Sequence, residues 1–439
     1  MIYRKLFIIP FLIIITNCFS SNQKSQIDII NYNLQADLAS SQKQLNVTAI
    51  LKLQKSGALN EFELLLNSNV KIKSIRYKIK ENWVDISYNL KENNIIHLII
   101  PGPLIDHSEF TLMFEYTFPI EDQIRDVFYI DRGCRWYPMI VDDIAQLKIT
   151  ANIPAEFEMF SAGDLIKVRH KSGFSLFTWE TKIPVFKIPF VLIKSNLYNK
   201  ITRKYEDKDM YFYFLADDPN ANEKIINEAY HAFQYYNTSI APYRHNRLTF
   251  IEMSNFQGSN ICTGLILSSS NVIEQFKKGY FEGLHLTIAA QWFGAGVFGK
   301  FNDKGFWFFS LSLPHYLRLM YINESNNTDA FVKQLEKPYH VYEQIAGTDK
   351  DVPIIDIDRI DTREKGLVIY GKGPIVLNLL RREMDEKNWK NFIKDLYLNY
   401  VGKILTYDAF INNLSKYAKD RNLILKFDKM MIEKGIVEN

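Results

Sequence analysis

Cysteine is scarce in this chain, with three residues among 439, which excludes a small fold stapled by several disulfides. Long runs of one charge are also missing, although 53 basic and 50 acidic side chains leave a formal net charge of +3. Clustered basic residues would mark a nucleic-acid partner, and their absence excludes one. Internal repeats and low-complexity segments are not found either. The apolar stretch near the N-terminus falls short of the roughly 20 residues that a membrane-spanning helix needs. What is present is an ordinary globular composition, 47% apolar and 23% charged, in a chain long enough for two or three domains. An aromatic share of 14% fits large cores.

The first residues carry the clearest local signal. Arg4 and Lys5 precede the apolar stretch 6–15, and Thr16, Asn17 and Cys18 follow. A short basic region ahead of about ten apolar residues is the pattern of a secretory signal. The run Ile15-Thr16-Asn17-Cys18 resembles a bacterial lipobox, with Asn17 where Gly, Ala or Ser is usual. That resemblance implies lipidation at Cys18 and a bacterial envelope protein, periplasmic or surface-exposed, anchored to the membrane through its N-terminal lipid. Residues 19–26 then form a polar tether. The alternative is a plain signal peptide in which Cys18 is incidental. Cys134 and Cys262 are the remaining thiols and are taken as unpaired. Asn46-Val47-Thr48 and Asn237-Thr238-Ser239 match the glycosylation acceptor pattern, a chance occurrence in a bacterial chain.

From residue 27 to 198 the pattern is that of short strands, such as Phe62-Glu63-Leu64-Leu65-Leu66 and Ile96-His97-Leu98-Ile99-Ile100, between turn-rich breaks. Many short strands without helical periods predict a β-sandwich-like N-terminal domain. From 199 to 439 the texture changes. One more strand is expected at 210–215, then Asp218 and Pro219 as the N-cap and first position of a helix. Ile225, Ala229, Ala232, Phe233 and Tyr236 follow at helical spacing. Further helices are predicted over 280–293, 309–321, 374–384 and 389–400, with a last one starting at Thr406. The expected class is α+β and multidomain.

Several stretches now come in a recognisable order. Residues 255–266, Asn-Phe-Gln-Gly-Ser-Asn-Ile-Cys-Thr-Gly-Leu-Ile, resemble the G-A-M-E-N-x-G-L-I segment of the aminopeptidase N family of gluzincin zinc metallopeptidases. Ala289-Ala290-Gln291-Trp292-Phe293-Gly294 resembles the end of that family's H-E-L-A-H-Q-W-F-G helix. Residues 309–316 are similar to L-S-E-S-L-A-Q-Y, and Tyr370-Gly371-Lys372-Gly373-Pro374 to Y-x-K-G-A. Trp136-Tyr137-Pro138 and Ser161-Ala162-Gly163-Asp164 take the places of W-Y-P and N-G-D. The likeness spans roughly residues 28–436 and implies a thermolysin-like α/β-to-helical peptidase domain after the β-rich one.

The chemistry does not follow the scaffold. In that family two His one helical turn apart and a distant Glu hold zinc, and the Glu after the first His is the general base. The resemblance places Leu286 and Ala290 at the two His, Thr287 at the base, and Leu311 at the third ligand; the family's usual gap reaches Phe309 instead. The apolar residues at the ligand positions cannot hold a metal, so the zinc expected of the family is not expected here, nor any other cofactor. His285 and Glu282, three apart on one helix, could bind a metal weakly or form an ordinary hydrogen-bonded pair. The amine-binding Glu of G-A-M-E-N is replaced by Ile261, and Tyr370 alone falls on a catalytic position, that of the oxyanion-stabilising Tyr. The resulting expectation is a catalytically inactive, envelope-anchored pseudo-peptidase with a binding or structural role, its partner a peptide or another envelope protein. Two alternatives stand beside it: an active aminopeptidase with a non-standard metal site, and a peptide-binding protein that keeps the cleft.

Overall fold

The computed structural model describes residues 26–38, 44–57, 59–92, 94–120, 126–301, 303–324 and 328–435. Cys18 and the whole lipobox lie outside the described residues. Packing divides the chain into two compact units, Met1–Asp217 with His245–Ile273, and Asp218–Arg244 with Glu274–Asn439.

The first unit opens with β1 (Ile27–Asp37), β2 (Gln44–Lys55), β3 (Glu61–Leu65), β4 (Lys71–Ile79), β5 (Asn82–Asp85), β6 (Tyr88–Lys91) and β7 (Ile95–Ile99). It continues with β8 (Glu109–Pro119), β9 (Val127–Ile130), β10 (Gln146–Pro154), β11 (Phe157–Phe160), β12 (Asp164–Lys171), β13 (Phe174–Glu180) and β14 (Phe190–Lys194). An eight-stranded sheet has the order β12-β13-β10-β1-β2-β8-β4-β5, and two three-stranded sheets run β3-β7-β6 and β11-β14-β9. Alternation drives this arrangement. Along β2, Leu45, Val47, Ala49, Leu51 and Leu53 are buried, and the residues between them face out. The same unit holds a five-stranded sheet made of β15 (Asn199–Tyr205), β16 (Lys208–Phe214), β17 (Arg247–Met253), β18 (Ser259–Cys262) and β19 (Leu265–Ser269). Its order β15-β16-β17-β19-β18 leaves β18 at an edge.

Two of the motif stretches in this unit are tied into its packing. Trp136 is fully buried and donates from Nε1 to the Ile188 carbonyl at 2.9 Å. Asp164 accepts from the Asn246 backbone N–H at 3.0 Å, tying β12 to the entry of β17.

The second unit is mostly helical. It begins with α1 (Pro219–Ser239), capped by Asp218, whose side chain accepts from the Ala221 N–H at 3.1 Å. Ile225, Ala229, Ala232, Phe233 and Tyr236 form the buried stripe of α1, as their spacing predicts. α2 (Ser270–Lys277) begins in the first unit and ends in the second, and α3 (Glu282–Ala289) follows, then α4 (Leu313–Glu324), α5 (Thr328–Glu343), α6 (Arg363–Leu367) and α7 (Gly373–Met384). α8 (Glu386–Tyr400), α9 (Tyr407–Leu414) and α10 (Arg421–Ile432) close the unit, with β20 (Phe298–Gly299) paired to β21 (Ile404–Leu405). Two single π turns, Phe308–Ser312 and Val368–Lys372, lead into α4 and α7. The architecture is therefore α+β, a β-rich N-terminal part followed by a helical C-terminal part.

Candidate functional site

α3 is short and apolar nearly all round, so it is a core helix: every residue from Gly283 to Ala289 is buried. Leu286 is 7% exposed, Thr287 2% and Ala290 4%. The Thr287 hydroxyl is spent on the Leu284 carbonyl at 2.8 Å, a local back-bond that leaves no free base at this position. The helix stops at Ala290, earlier than the expected 293. Gly294 makes the turn with φ 116°, and a Cβ there would stand 3.2 Å from the Ser310 carbonyl. Gln291 and Trp292 are buried and held by side-chain bonds. Gln291 Oε1 accepts from the Tyr243 hydroxyl at 3.2 Å, and Trp292 Nε1 donates to the Ala241 carbonyl at 2.9 Å. The motif residues present at the end of α3 are thus packing residues.

Leu311 and Phe309 lie in the first π turn, both buried. π turns are rare and frequently mark functional sites. Ser312, at the end of this one, donates to the Ile369 carbonyl at 2.7 Å and so joins it to the second. Gly373, just past the second turn, has no room for a side chain. A Cβ there would lie 2.2 Å from Ser312 Oγ. Tyr370 sits between these anchors, half-buried, and burial pushes its hydroxyl pKa upward. That hydroxyl makes no hydrogen bond among the described residues. The Tyr370 ring meets His315 edge-on, with centroids 5.3 Å apart.

His315 is the neighbour that motif reading passed over. It lies in the first turn of α4, four residues after Leu311 of the π turn. The ring is buried, and its Nε2 has no hydrogen-bond partner among the described residues. Burial, aided by the charge of Arg318, holds its pKa well below the usual histidine value. Arg318 is buried as well and is brought down to about 10 by burial.

The remaining candidates separate. Glu282 is exposed, and His285 turns instead to α1, with Nε2 3.1 Å from Glu228 Oε2. The hydrogen bond from His285 holds Glu228 below the usual carboxylate range. The Glu282–His285 pairing drawn from sequence is replaced by this one, because Glu282 sits in the first turn of α3 facing solvent. Ile261 is half-buried on the edge strand β18, opposite Ile266 of β19. Cys262 beside it is buried, its thiol pushed up to about 12 by burial, and no disulfide joins it to Cys134. Asn237 is buried with Oδ1 accepting from the Tyr243 N–H at 2.8 Å, which leaves it unsuited to glycosylation.

Leu286, Ala290, Leu311 and Phe309 carry no atom that coordinates a metal, so these positions do not fit zinc. Among the described residues, no three His, Cys, Asp or Glu side chains gather in a group that could hold a metal ion.

No family model matches the chain, and no curated protein matches it. Solved structures do match. A mutant M1 zinc metallopeptidase from Deinococcus radiodurans, bound to a Tyr-Ser-Ala substrate, superposes with a TM-score of 0.76 at 14% identity, covering 96% of this chain and 97% of that one. The M1 zinc metallopeptidase of the same organism gives 0.74 at 14% identity, covering 94% and 95%. A two-domain M1 zinc metallopeptidase mutant bound to L-tryptophan gives 0.75 at 13%, covering 96% and 98%. The chain has the fold of these two-domain peptidases; identity this low speaks for the fold alone.

Proposed function

We propose that the chain is a lipid-anchored pseudo-peptidase of the bacterial envelope, a non-catalytic protein that uses a peptidase scaffold for binding or support. The observation that carries this is the set Leu286, Thr287, Ala290 and Leu311. The three ligand positions are buried and apolar, and the hydroxyl at the base position is already hydrogen-bonded. Metal analysis of the purified protein, with an aminopeptidase assay beside it, tests the reading. The expected result is no stoichiometric zinc and no amide hydrolysis. One tightly held zinc per chain, unaffected by His285→Ala, would favour an active enzyme with a non-standard site.

Restoring Leu286→His, Thr287→Glu, Ala290→His and Leu311→Glu together is expected not to create an enzyme. Overfilling a packed core costs about 1–3 kcal/mol per site, and the new carboxylates would be buried without partners until metal arrived. Turnover by the quadruple variant at about 1 s⁻¹ or faster, the ordinary enzyme range, would show that inactivity is shallow.

The anchor has its own test. Cys18→Ser should release the protein from membranes or leave the precursor uncleaved; a variant that matures and stays bound overturns lipidation.

A second reading, a peptide-binding protein, is favoured by the half-buried Tyr370, whose hydroxyl has no hydrogen-bond partner among the described residues, and by the Tyr-Ser-Ala ligand of one structural neighbour. Titration with Tyr-Ser-Ala against wild type and Tyr370→Phe separates it from a purely structural role.

A further inference from the structure

The outer face of the eight-stranded sheet changes character along its strands. At one end it carries long charged side chains in exposed ion pairs, Lys52 with Glu109 at 2.6 Å and Lys148 with Glu180 at 2.7 Å. That is the ordinary look of a solvated sheet face. At the other end, strand pairing lines up two rows of short polar residues across β10, β1, β2 and β8. One row runs Asn152, Asp37, Asn46, Thr117, and the next Thr150, Gln35, Thr48, Glu115. All but Thr117 line a cavity of about 410 Å³, to which Lys73 and Leu176 also contribute.

These side chains are placed as in a recess. Asp37, Asn46, Thr48, Glu115, Thr150 and Asn152 are half-buried although they point outward, and Thr117 is buried to 7% exposure. Several are held by neighbours. Glu115 accepts from Ser74 Oγ at 2.8 Å and from Arg76, while Asn152 Nδ2 donates to Asp37 Oδ1 at 3.3 Å. Asn46 Oδ1 accepts from Thr117 Oγ1 at 3.3 Å. At the centre, Thr48 and Gln35 make no side-chain hydrogen bond among the described residues. On β2 and β8 the adjoining row brings Ile50 beside the buried Met113, a short apolar ledge, and on β1 and β10 it continues as Asn33 and Lys148, where the charged end begins.

The chemistry narrows the ligand. Asp37 and Glu115 are balanced by Lys73 and Arg76, so the recess offers no net charge to a phosphate, an acidic lipid or a basic peptide. A peptide main chain is captured at a strand edge, and this is a face that presents only side chains. Asn, Gln and Thr each donate and accept, which suits a ligand whose groups do the same. Hydroxyls on a ring with apolar faces meet both the polar rows and the ledge.

We propose that this recess binds a neutral, linear carbohydrate chain lying across β10, β1, β2 and β8, a reach of roughly 14 Å at the usual strand spacing. The test is calorimetric titration of the full chain in detergent with maltohexaose, cellohexaose and chitohexaose. One of the three should bind saturably. Gln35→Ala and Thr48→Lys, which respectively remove a central contact and fill the recess, should each weaken that binding by about tenfold or more. Lys52→Ala, at the charged end, should leave it unchanged, with thermal unfolding of the variants as the check on folding. Should Thr48→Lys fail to fold, the exposed Gln35→Ala decides alone. Absence of saturable binding to all three sugars, or wild-type affinity in the recess variants, overturns the proposal and leaves an ordinary solvated face.

Discussion

Gly373→Ala tests how the two π turns are joined, and its cost can be worked out from the structure. Gly373 has φ −53° and ψ −51°, a helical conformation that alanine adopts freely, so only space opposes the change. A Cβ at this position would lie 2.2 Å from Ser312 Oγ and 2.6 Å from Ser312 Cβ. Comfortable carbon contacts are about 3.5–4.0 Å. Ser312 is fully buried and bonded to the Ile369 carbonyl, so it cannot rotate away without leaving that carbonyl unpaired. Overfilling costs about 1–3 kcal/mol, the stranded carbonyl about 1–3 kcal/mol, and the better helix propensity of alanine returns about 1 kcal/mol. The net loss is about 1–5 kcal/mol, which for a unit of 150–250 residues lowers the Tm by roughly 2–20 °C. Scanning calorimetry of Gly373→Ala, Ser312→Gly and the double variant measures it. The double variant should be at least as stable as Ser312→Gly alone, because the clash is gone. A Gly373→Ala protein that melts with the wild type, or a double variant showing no rescue, refutes the reasoning.

Two further outcomes follow from buried charge. Asp351, fully buried, accepts from the Tyr342 hydroxyl at 2.9 Å, the Gly347 N–H at 2.9 Å and the Gly435 N–H at 2.6 Å, and its charge supports the buried Lys372. Asp351→Ala should therefore cost at least about 3 kcal/mol in urea unfolding, with part recovered by adding Lys372→Met; a loss under about 1 kcal/mol would contradict this. Acid should destabilise the fold through two histidines. His245 is brought down to about 4 by burial and then by the charge of Lys208, and His315 is held well below the usual value. Below the unfolded value near 6.5 the unfolded chain takes up protons that the folded chain refuses, so stability falls as pH falls. Between pH 7 and 5 each histidine should contribute about 2 kcal/mol of loss, and His315→Gln should flatten that slope in urea titrations.

The fold was legible in the sequence where hydrophobic periodicity decides it. The alternation of β2 and the stripe of α1 are packing statements, and both are found where the spacing puts them. α5 went unread because Pro338 interrupts its pattern. The two π turns are invisible for a different reason. Their wider i→i+5 bonding shifts which side chains share a face over a single turn, too briefly to alter an apolar period. The pairing of His285 with Glu228 was equally out of reach. The partners are 57 residues apart, and nothing local selects Glu228 over the nearer Glu282.

Legibility of the candidate site has a sharper limit, set by what a motif residue does. Trp292 and Gln291 fill space and satisfy the Ala241 carbonyl and the Tyr243 hydroxyl, while Gly294 holds a positive φ and Gly373 occurs where a Cβ would strike Ser312. Changing any of them costs stability directly, whatever the protein does. Leu286, Thr287, Ala290 and Leu311 stand under a different constraint: in their places apolar or self-satisfied side chains pack without demanding partners, whereas ionisable groups there would need a metal to offset their burial. A scaffold freed from metal chemistry is thus expected to keep the first group and let the second go. The motif order therefore reports the fold faithfully while saying little about activity, and evidence for function must come from surfaces the motifs do not touch.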